Sequence, residues 1–460
     1  MHNTKISHCN KIFLKIILLY IEGDIIKAFT VSLISNLLPL TFLLVCGIYL
    51  SFKGRFFQIT RFFDSSRLMK KAFKTKNKQE FSSFKAACTS LSATVGTGNI
   101  AGVAGALSIG GAGAIFWMWI SALCGMGIKA AEIALAVKYR EKQKSEFTGG
   151  PMYYIKNGLS PRFKPLAVAF CFAGIPAVFC SGNITQTNAA VMSISGNSAV
   201  RFVTGIIFAV LTFTVIIGGI KRIGSFTEKI VPLMSVLYIV LCATVIILNI
   251  DILPSAFKMI IDGAFNPKAV TGGAVGSVLS CALIGAERGV FSNEAGLGTS
   301  AMAHSSAADA DPKTQGLFGI FEVFVDTILL CTLTALTVLC SGVKINYGTA
   351  ASSELVVSAL GGVFGRLAPE LISVMLCLFA FSSIIGWAVY GSICTDFLFG
   401  KKASKIFLAL YPLGSVFGAI AGVELAWGIA AFFNGIMMII NLTAIILLSD
   451  KAIIFLKKKE

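Results

Sequence analysis

Long apolar runs recur along this chain of 460 residues, and they constrain its fold more than any other feature. Several reach or approach the roughly 20 residues that an α-helix needs to cross the hydrocarbon core of a bilayer. Charged residues make up only 13% of the chain, whereas soluble domains contain roughly 25%. The sequence therefore predicts an all-α polytopic membrane protein that lies in the lipid bilayer and has no separate soluble domain.

Apolar length and helix breakers together predict eleven membrane-spanning helices. They are expected at residues 31–52, 86–108, 114–137, 165–195, 202–219, 230–249, 270–300, 315–340, 366–395, 406–422 and 426–448. The remaining terminal and connecting parts are an N-terminal amphipathic lead-in, a basic loop and a basic tail, at residues 1–30, 53–85 and 449–460.

A net charge of +17 would suggest nucleic acid as a partner of a soluble protein, but in a membrane protein the side on which the charges fall matters more. With the basic loop inside, 28 Lys and Arg fall on the inner side and 9 on the outer side. The positive-inside rule then places the N-terminus outside a bacterial plasma membrane and the C-terminus in the cytoplasm. The 12 cysteines include no C-x-x-C pair, so we expect reduced packing residues.

The last ten predicted helices divide into two groups of five, residues 86–249 and 270–448. Because five is odd, the two groups start on opposite sides of the membrane and form an inverted repeat. The first helix of each group is interrupted by a Gly-rich segment, Ser92–Gly102 in one and Gly285–Gly298 in the other. Corresponding interruptions in paired halves indicate a transport site, although Gly98-x-x-x-Gly102 is also a helix-packing motif.

Specific strings in and around these segments carry a family resemblance. They include Gly96-Thr-Gly-Asn-Ile-Ala-Gly102, Gly149-Gly-Pro-Met-Tyr-Tyr154, Gln186-Thr-Asn188, Phe291-Ser-Asn-Glu-Ala-Gly-Leu-Gly298 and Phe379-Ala-Phe-Ser-Ser-Ile-Ile-Gly-Trp387. Through them the chain resembles the alanine or glycine:cation symporters from about residue 31 to residue 449. The resemblance implies a leucine-transporter-like fold of two inverted five-helix repeats and sodium-coupled import of alanine or glycine. Gln186-Thr-Asn188 departs from the commoner Gln-Ala-Asn, which leaves the exact substrate open.

The same resemblance implies a substrate site at the two interruptions. The carboxylate would meet backbone N–H groups at the positive end of a half-helix, and the amino group would meet carbonyls of residues 289–292. Two amides would add contacts, and two aromatic rings would restrict the pocket to a small side chain. The alternatives are interhelical hydrogen bonding for Gln186 and an interface anchor for Trp387. The predicted substrate residues are Thr97, Gly98, Gln186, Gly289, Phe291, Ser292, Asn293 and Trp387.

A sodium site is implied beside the first interruption. The hydroxyls of Ser382 and Ser383 would join free carbonyls of the broken helix, with own-helix hydrogen bonds as the alternative for both serines. The full set is Ser92, Val95, Phe379, Ser382 and Ser383, and a second ion site would use Thr94 and Asn99. No other cofactor is expected.

Charged residues inside the predicted spans need partners or water, because each isolated charge would cost at least about 3 kcal/mol. These residues are Lys129, Glu132, Glu287, Arg288, Glu294 and Asp326. Gating salt bridges are the predicted role of Arg288 and Glu294, with placement near lipid headgroups as the alternative. His304 is expected at a helix end that faces the cytoplasm.

Other classes of protein fit the sequence less well. The chain has no nucleophile elbow, zincin motif or P-loop lysine, so an enzyme is not expected. A channel would use a ring of identical groups, whereas the irregular backbone here falls at two related breaks. A sensor would need a signalling domain. A proton-coupled carrier that uses Asp326 or Glu294 is the nearest alternative, and a monomer is the expected working unit.

Overall fold

The computed structural model describes residues 37–74, 81–143, 146–273, 276–420 and 423–457. Within these ranges the chain is almost entirely helical, as the apolar runs predict. The predicted lead-in at residues 1–30 and the first residues of the span at 31–52 lie outside the described residues. The described part of that span is an α-helix from Leu38 to Gly54.

Local sequence signals set several helix ends. Ser82 and Ser277 cap the helices that follow them by accepting hydrogen bonds from backbone N–H groups, and Asp311 does the same immediately before Pro312. In the first half of the chain the helices are α1 (Leu38–Gly54), α2 (Phe57–Thr60), α3 (Phe62–Lys74), α4 (Ser83–Thr94), α5 (Ala101–Gly110), α6 (Gly113–Lys138), α7 (Pro151–Gly158), α8 (Lys164–Phe179), α9 (Thr185–Ile194), α10 (Ser198–Ile216) and α11 (Gly219–Leu248).

The second half continues in the same way, with a kink at Gly400 inside its longest helix. Its helices are α12 (Leu253–Phe265), α13 (Pro267–Thr271), α14 (Val278–Asn293), α15 (Thr299–Ser305), α16 (Pro312–Val323), α17 (Thr332–Cys340), α18 (Ser353–Phe364), α19 (Ala368–Leu410), α20 (Leu413–Ile420), α21 (Val423–Leu447) and α22 (Ser449–Lys457). Two widened π-helical turns interrupt long helices, at Cys180–Ile184 and at Phe324–Cys331.

Seven helical stretches of the described residues are long and apolar enough to cross a membrane, by length and composition. They are Gly113–Lys138, Pro161–Ile194, Ser198–Ile216, Gly219–Leu248, Pro312–Cys340, Ser353–Ile420 and Leu425–Leu447. The predicted spans at 86–108 and 270–300 are each divided into two short helices. The helical membrane fold is therefore confirmed, while the count of eleven spans and the inverted repeat remain predictions.

Helix α6 forms the centre of the bundle, and 89% of its apolar stretch is buried. Glycines let neighbouring helices approach it closely: a Cβ on Gly285 would lie 2.2 Å from the carbonyl oxygen of Ala114, and one on Gly289 would lie 2.3 Å from Ser121 Oγ. Helix α10, by contrast, is only 22% buried. Its apolar outer surface is what a helix in contact with lipid requires.

Three predicted connecting segments contain helices. Helix α12 lies in the connection between the two predicted repeats and packs on α6, where Trp117 Nε1 donates to the carbonyl of Ala264 over 3.2 Å. Helix α18 lies in the connection after residue 340. The predicted basic loop contains α2 and α3. These helices are shorter than a membrane span, so the length of apolar runs does not predict them.

A two-stranded antiparallel hairpin is the feature of the described residues that an all-helical prediction lacks. Strands β1 (Glu141–Gln143) and β2 (Glu146–Thr148) pair next to the end of α6. Arg140 stacks its guanidinium on the ring of Phe147 and donates to backbone carbonyls at and just beyond the end of α15, including that of Ser305. Burial lowers the pKa of Arg140, and the nearby carboxylate of Asp309 opposes this shift.

Candidate binding site at two interrupted helices

The first interruption separates α4 from α5. Helix α4 ends at Thr94, Val95 and Gly96 are extended, and a 3₁₀ turn follows at Thr97–Asn99. The side chain of Asn99 accepts a hydrogen bond from the backbone N–H of Gly96 over 2.9 Å, which fixes the turn. The break predicted within Ser92–Gly102 is therefore present, and its backbone groups do not follow a regular helical pattern.

The second interruption is shorter than predicted. Helix α14 continues without a break to Asn293, and only residues 294–298 are open. Glu294, Gly296 and Gly298 have left-handed backbone conformations, with φ of 54°, 82° and 78°. The prediction of an interruption from Gly285 onwards was wrong, because the first glycines of that segment serve close packing against α6.

A small cavity lies between the two interruptions. Its volume is about 20 Å³, which is room for about one water molecule. Of the predicted substrate residues, Gly98, Gln186, Phe291, Ser292 and Trp387 line it. Its full lining is Ala93, Thr94, Gly96, Gly98, Ser181, Gln186, Phe291, Ser292, Glu294, Leu297, Trp387 and Asn434.

Gln186 holds the first interruption in place from the side of α9. Its Oε1 accepts hydrogen bonds from the backbone N–H of Thr97 over 3.3 Å and from Thr97 Oγ1 over 3.0 Å. Its Nε2 donates to the carbonyl of Ser181, in the π-helical turn before α9. Thr97 and Gln186 are therefore in contact, and of the two only Gln186 lines the cavity. Asn188 points elsewhere, since its amide bonds the carbonyl of Gly418.

Two aromatic side chains form walls of the cavity. Trp387 is only 2% exposed, so it does not anchor the protein at a membrane interface. A Cβ on Gly182 would lie 2.4 Å from Cβ of Trp387, so only glycine allows the π-helical turn to approach this ring. Phe291 lines both the central cavity and a larger one, and its ring lies 5.3 Å from that of Trp427.

The larger cavity is a vestibule of about 590 Å³ that reaches Thr97, Gly98 and Phe291 from one face of the bundle. Arg288 lines this vestibule, whereas Glu294 accepts a hydrogen bond from Thr299 over 2.8 Å. Among the described residues no ion pair joins these two side chains. The predicted gating salt bridges are therefore absent from this structure.

Two serine hydroxyls of α19 face open carbonyls of the first interruption. Ser382 Oγ lies 3.3 Å from the carbonyl oxygen of Ser92. Ser383 Oγ lies 3.1 Å from that of Ala93 and 3.5 Å from that of Val95. These groups supply only neutral oxygen atoms, which suit a hard monovalent cation at a broken helix. Ala93 was not predicted, and Phe379 lies one turn before Ser383 on α19.

Close approach of α19 to α4 depends on one glycine. A Cβ on Gly386 would lie 2.5 Å from Ser92 Oγ and 2.7 Å from the backbone nitrogen of Ala93. Any larger residue at this position would push the two serine hydroxyls away from the carbonyls of the interruption. The Ser-Ser-Ile-Ile-Gly string of α19 therefore contains both the two hydroxyls and the glycine that lets them approach the broken helix.

Asn99 links the first interruption to α14, the helix that leads into the second interruption. Its Nδ2 donates to Oδ1 of Asp326 over 2.8 Å and lies 3.1 Å from Ser292 Oγ. Ser292 Oγ in turn donates to Asp326 over 2.7 Å. The Thr94 hydroxyl bonds carbonyls of its own helix. In this structure Asn99 connects the 3₁₀ turn of the first interruption to α14 and to the π-helical turn at Phe324–Cys331, and the second ion site remains a prediction.

Asn293 and Gly289, two predicted substrate residues, do not line the central cavity. Asn293 donates to Thr327 Oγ1 over 3.1 Å and accepts from the backbone N–H of Ala295 over 3.0 Å. It therefore stabilises the start of the second interruption. Gly289 lies inside the continuous part of α14, against Ser121.

Buried charged groups contact the helices that border both interruptions. Lys129 Nζ donates to the carbonyl of Asn293 over 2.9 Å and lies 3.5 Å from Glu322 Oε2. Glu322 also accepts from Ser90 over 2.7 Å and lies 2.6 Å from the ring of His304. We call Lys129, Glu322, Ser90 and His304 the Lys129 cluster. Its members are fully buried and belong to four different helices.

The sequence predicts that His304 faces the cytoplasm, whereas the structure buries it. The residue is at a helix end, as expected, but it is 0% exposed and its second ring nitrogen contacts Gln315. Small residues on the short helix α15 allow this burial. Glu132, also buried, accepts from Asn441, which donates to the carbonyl of Gly296 as well. The second interruption is thus held by two buried polar networks.

Helices interrupted at a polar cavity within a helical bundle are the arrangement of broken-helix membrane transporters. The solved structure of MhsT in complex with L-phenylalanine shares this fold, with a TM-score of 0.56, 14% identity, and coverage of 82% of this chain and 92% of that chain. The chain belongs to the sodium:alanine symporter family, whose sequence model matches residues 21–459. This family consists of transporters and not of enzymes.

Curated relatives support this assignment over most of their length. The sodium/alanine symporter AgcS of Methanococcus maripaludis is 39% identical over 424 residues, which cover 89% of this chain and 91% of the relative. The probable sodium/glutamine symporter GlnT of Bacillus subtilis is 36% identical over 431 residues, with coverage of 93% and 88%. This chain is therefore an amino-acid transporter by family.

Proposed function

We propose that this protein imports alanine, glycine or both with sodium by alternating access across a bacterial plasma membrane. The observation that carries the proposal is the meeting of the Ser382 and Ser383 hydroxyls with three open carbonyls, beside a small cavity at both interruptions. The names of the relatives AgcS and GlnT support sodium coupling and differ in the amino acid. The two aromatic walls of the cavity, Phe291 and Trp387, favour the amino acid with the smaller side chain.

The amino acid would bind with its charged ends toward the broken helices. The carboxylate would lie at the backbone N–H groups of Thr97 and Gly98, where the positive end of α5 stabilises negative charge. The ammonium group would meet carbonyl oxygens at the end of α14, near Ser292. The side chain would face Phe291 and Trp387, which would restrict the pocket to a small side chain. This orientation satisfies a zwitterion without an arginine.

Membrane orientation follows from the charge distribution. The basic segments 53–85 and 449–460 would lie in the cytoplasm, and the vestibule at Thr97, Gly98 and Phe291 would open outward. Residues 86–249 and 270–448 would act as the two inverted repeats, with residues 31–52 as an additional helix. A single chain contains the whole site, so the transporter would work as a monomer.

The experiment that tests the proposal is uptake of labelled alanine into proteoliposomes that hold the purified protein. A sodium gradient and, in parallel, a proton gradient of equal size are imposed. We expect accumulation under the sodium gradient alone. Uptake under the proton gradient alone would instead support the proton-coupled carrier, with Asp326 or Glu294 as the proton site. No uptake under either gradient would overturn the choice of alanine.

Gly96→Ala is expected to preserve the fold and to lower the apparent sodium affinity roughly tenfold, the loss of one contact to an ion. The backbone of Gly96 is extended, with φ of −136°, so alanine fits there without strain. Its methyl group, however, would lie 2.6 Å from Ser383 Oγ and would displace this hydroxyl. The measurement is the sodium dependence of alanine uptake.

Gly361→Ala is the matched control for this substitution, because a methyl group on Gly361 in α18 meets nothing within 4 Å. Both variants should elute as the wild type does in size-exclusion chromatography. An unchanged sodium dependence in Gly96→Ala would show that Ser383 does not contribute to the ion site.

A further inference from the structure

The central cavity contains one amide that the proposed binding mode does not use. Asn434, on α21, lines this cavity together with Phe291, Leu297 and Trp387. Its Nδ2 makes a long hydrogen bond of 3.4 Å to Ser181 Oγ. Its Oδ1 is buried and has no hydrogen-bond partner among the described residues.

The other polar side chains of the lining are engaged with the protein itself. Gln186 bonds Thr97, Ser292 bonds Asp326 and Glu294 bonds Thr299. No other lining residue is among the described side chains that have a buried oxygen or nitrogen without a partner. A buried amide group without a partner destabilises a protein unless something else satisfies it. Reversing the amide would leave its NH₂ group in the same situation.

The position of Asn434 identifies the part of the substrate that it can meet. A second cavity, of about 430 Å³, lies on its other side and shares Phe291, Leu297 and Asn434 with the central one. Asn434 therefore lies next to Phe291, the ring that would face the substrate side chain. The charged ends of the substrate would lie at the backbone of the two interruptions.

We propose that Asn434 recognises a hydroxyl group on the substrate side chain, so that the transporter carries serine in addition to alanine and glycine. This inference rests on the proposed function. A hydroxyl is the smallest polar group that can donate a hydrogen bond to the unpartnered Oδ1 of Asn434. A site that hydrogen-bonds a substrate hydroxyl disfavours the analogue that lacks it.

The first measurement needs only the wild-type protein. Sodium-driven uptake is compared for serine and for 2-aminobutyrate, in which a methyl group replaces the hydroxyl at nearly the same volume. We expect serine to be preferred by roughly tenfold in kcat/KM, the effect of one hydrogen bond. Equal uptake of the two amino acids, or no uptake of serine, would overturn the proposal.

The second measurement uses Asn434→Leu, which keeps the size and branching of the side chain and removes the amide. We expect the serine-to-alanine ratio of kcat/KM to fall roughly tenfold. An equal fall in kcat/KM for serine, alanine and glycine would indicate that Asn434 contacts a part that all three substrates share, and it would overturn the proposal. An unchanged serine-to-alanine ratio would overturn it as well.

Asn249→Leu is the matched control, because Asn249 ends α11 and bonds the carbonyl of Val245 in its own helix. It should leave all three uptake rates unchanged. Failure of the proposed function has a different signature, since wild-type protein would then show no sodium-driven uptake of alanine. The comparison of serine with 2-aminobutyrate decides the question if Asn434→Leu does not fold.

Discussion

Replacing Ser382 and Ser383 together with alanine is expected to raise the sodium concentration for half-maximal alanine uptake by at least about 100-fold. Each hydroxyl contributes one oxygen to the proposed ion, and a hydrogen bond or similar contact to a charged group is worth about 1.5–3 kcal/mol. Both serines also lie against the carbonyls of Ser92, Ala93 and Val95. Alanine is smaller than serine and fits at both positions, so the variant would retain its fold. Its response to sodium would be lost, because the two hydroxyl oxygens are missing.

The measurement is uptake as a function of external sodium at fixed alanine. Ser255→Ala combined with Ser358→Ala is the matched control, since these exposed hydroxyls bond carbonyls three or four residues earlier in the chain. Wild-type sodium dependence in the Ser382 and Ser383 double variant would exclude this ion site. An equal loss in the control would point to a general effect on helix packing.

Lys129→Met is expected to destabilise the protein by about 3–5 kcal/mol, the usual result of removing one partner from a buried ion pair. Lys129 and Glu322 are both 0% exposed and 3.5 Å apart. Removal of the ammonium group leaves Glu322 with less compensation and also frees the carbonyl of Asn293 at the second interruption. The measurement is the unfolding midpoint of the purified protein in mixed detergent micelles.

Two further variants define the cause of this loss. Glu322→Gln added to Lys129→Met should recover much of the stability, because a neutral amide retains hydrogen bonding without an uncompensated charge. Lys53→Met removes an exposed ion pair to Asp450 and should cost less than about 1 kcal/mol. If Lys129→Met is as stable as Lys53→Met, the Lys129 cluster does not support the fold.

The position of the first interruption could be predicted closely from sequence, whereas the start of the second could not. The difference lies in how the glycines of the two segments are used. Gly96 and Gly98 lie at an actual break, as the clustering of glycines in the first segment predicts. In the second segment, Gly285 and Gly289 pack against α6, while Gly296 and Gly298 adopt positive φ. Close packing and left-handed backbone both require glycine, so sequence alone cannot separate the two uses.

Residues of the site that depend on three-dimensional packing were missed. Asn434 is one of two amides in the apolar helix α21, and its only sequence signal is that polar residues inside membrane helices commonly have a function. Gln186 and Trp387 were found through the family resemblance. The π-helical turns at Cys180–Ile184 and Phe324–Cys331 carry no sequence marker, although such turns often occur at functional sites.

The position of the peptide groups of residues 93–98 bears on how a sodium gradient would drive uptake of the amino acid. Carbonyls of Ala93 and Val95 face the serine hydroxyls, while the N–H groups only two or three residues later would face the carboxylate. Under the proposed function, the driving ion and the cargo would thus share one short stretch of main chain. If sodium crossed without the amino acid, the N–H groups of this stretch would lack the carboxylate that they bind in the loaded state. Under the proposed function, the shared main chain would therefore couple the two substrates, and no additional gating element would be needed for tight stoichiometry.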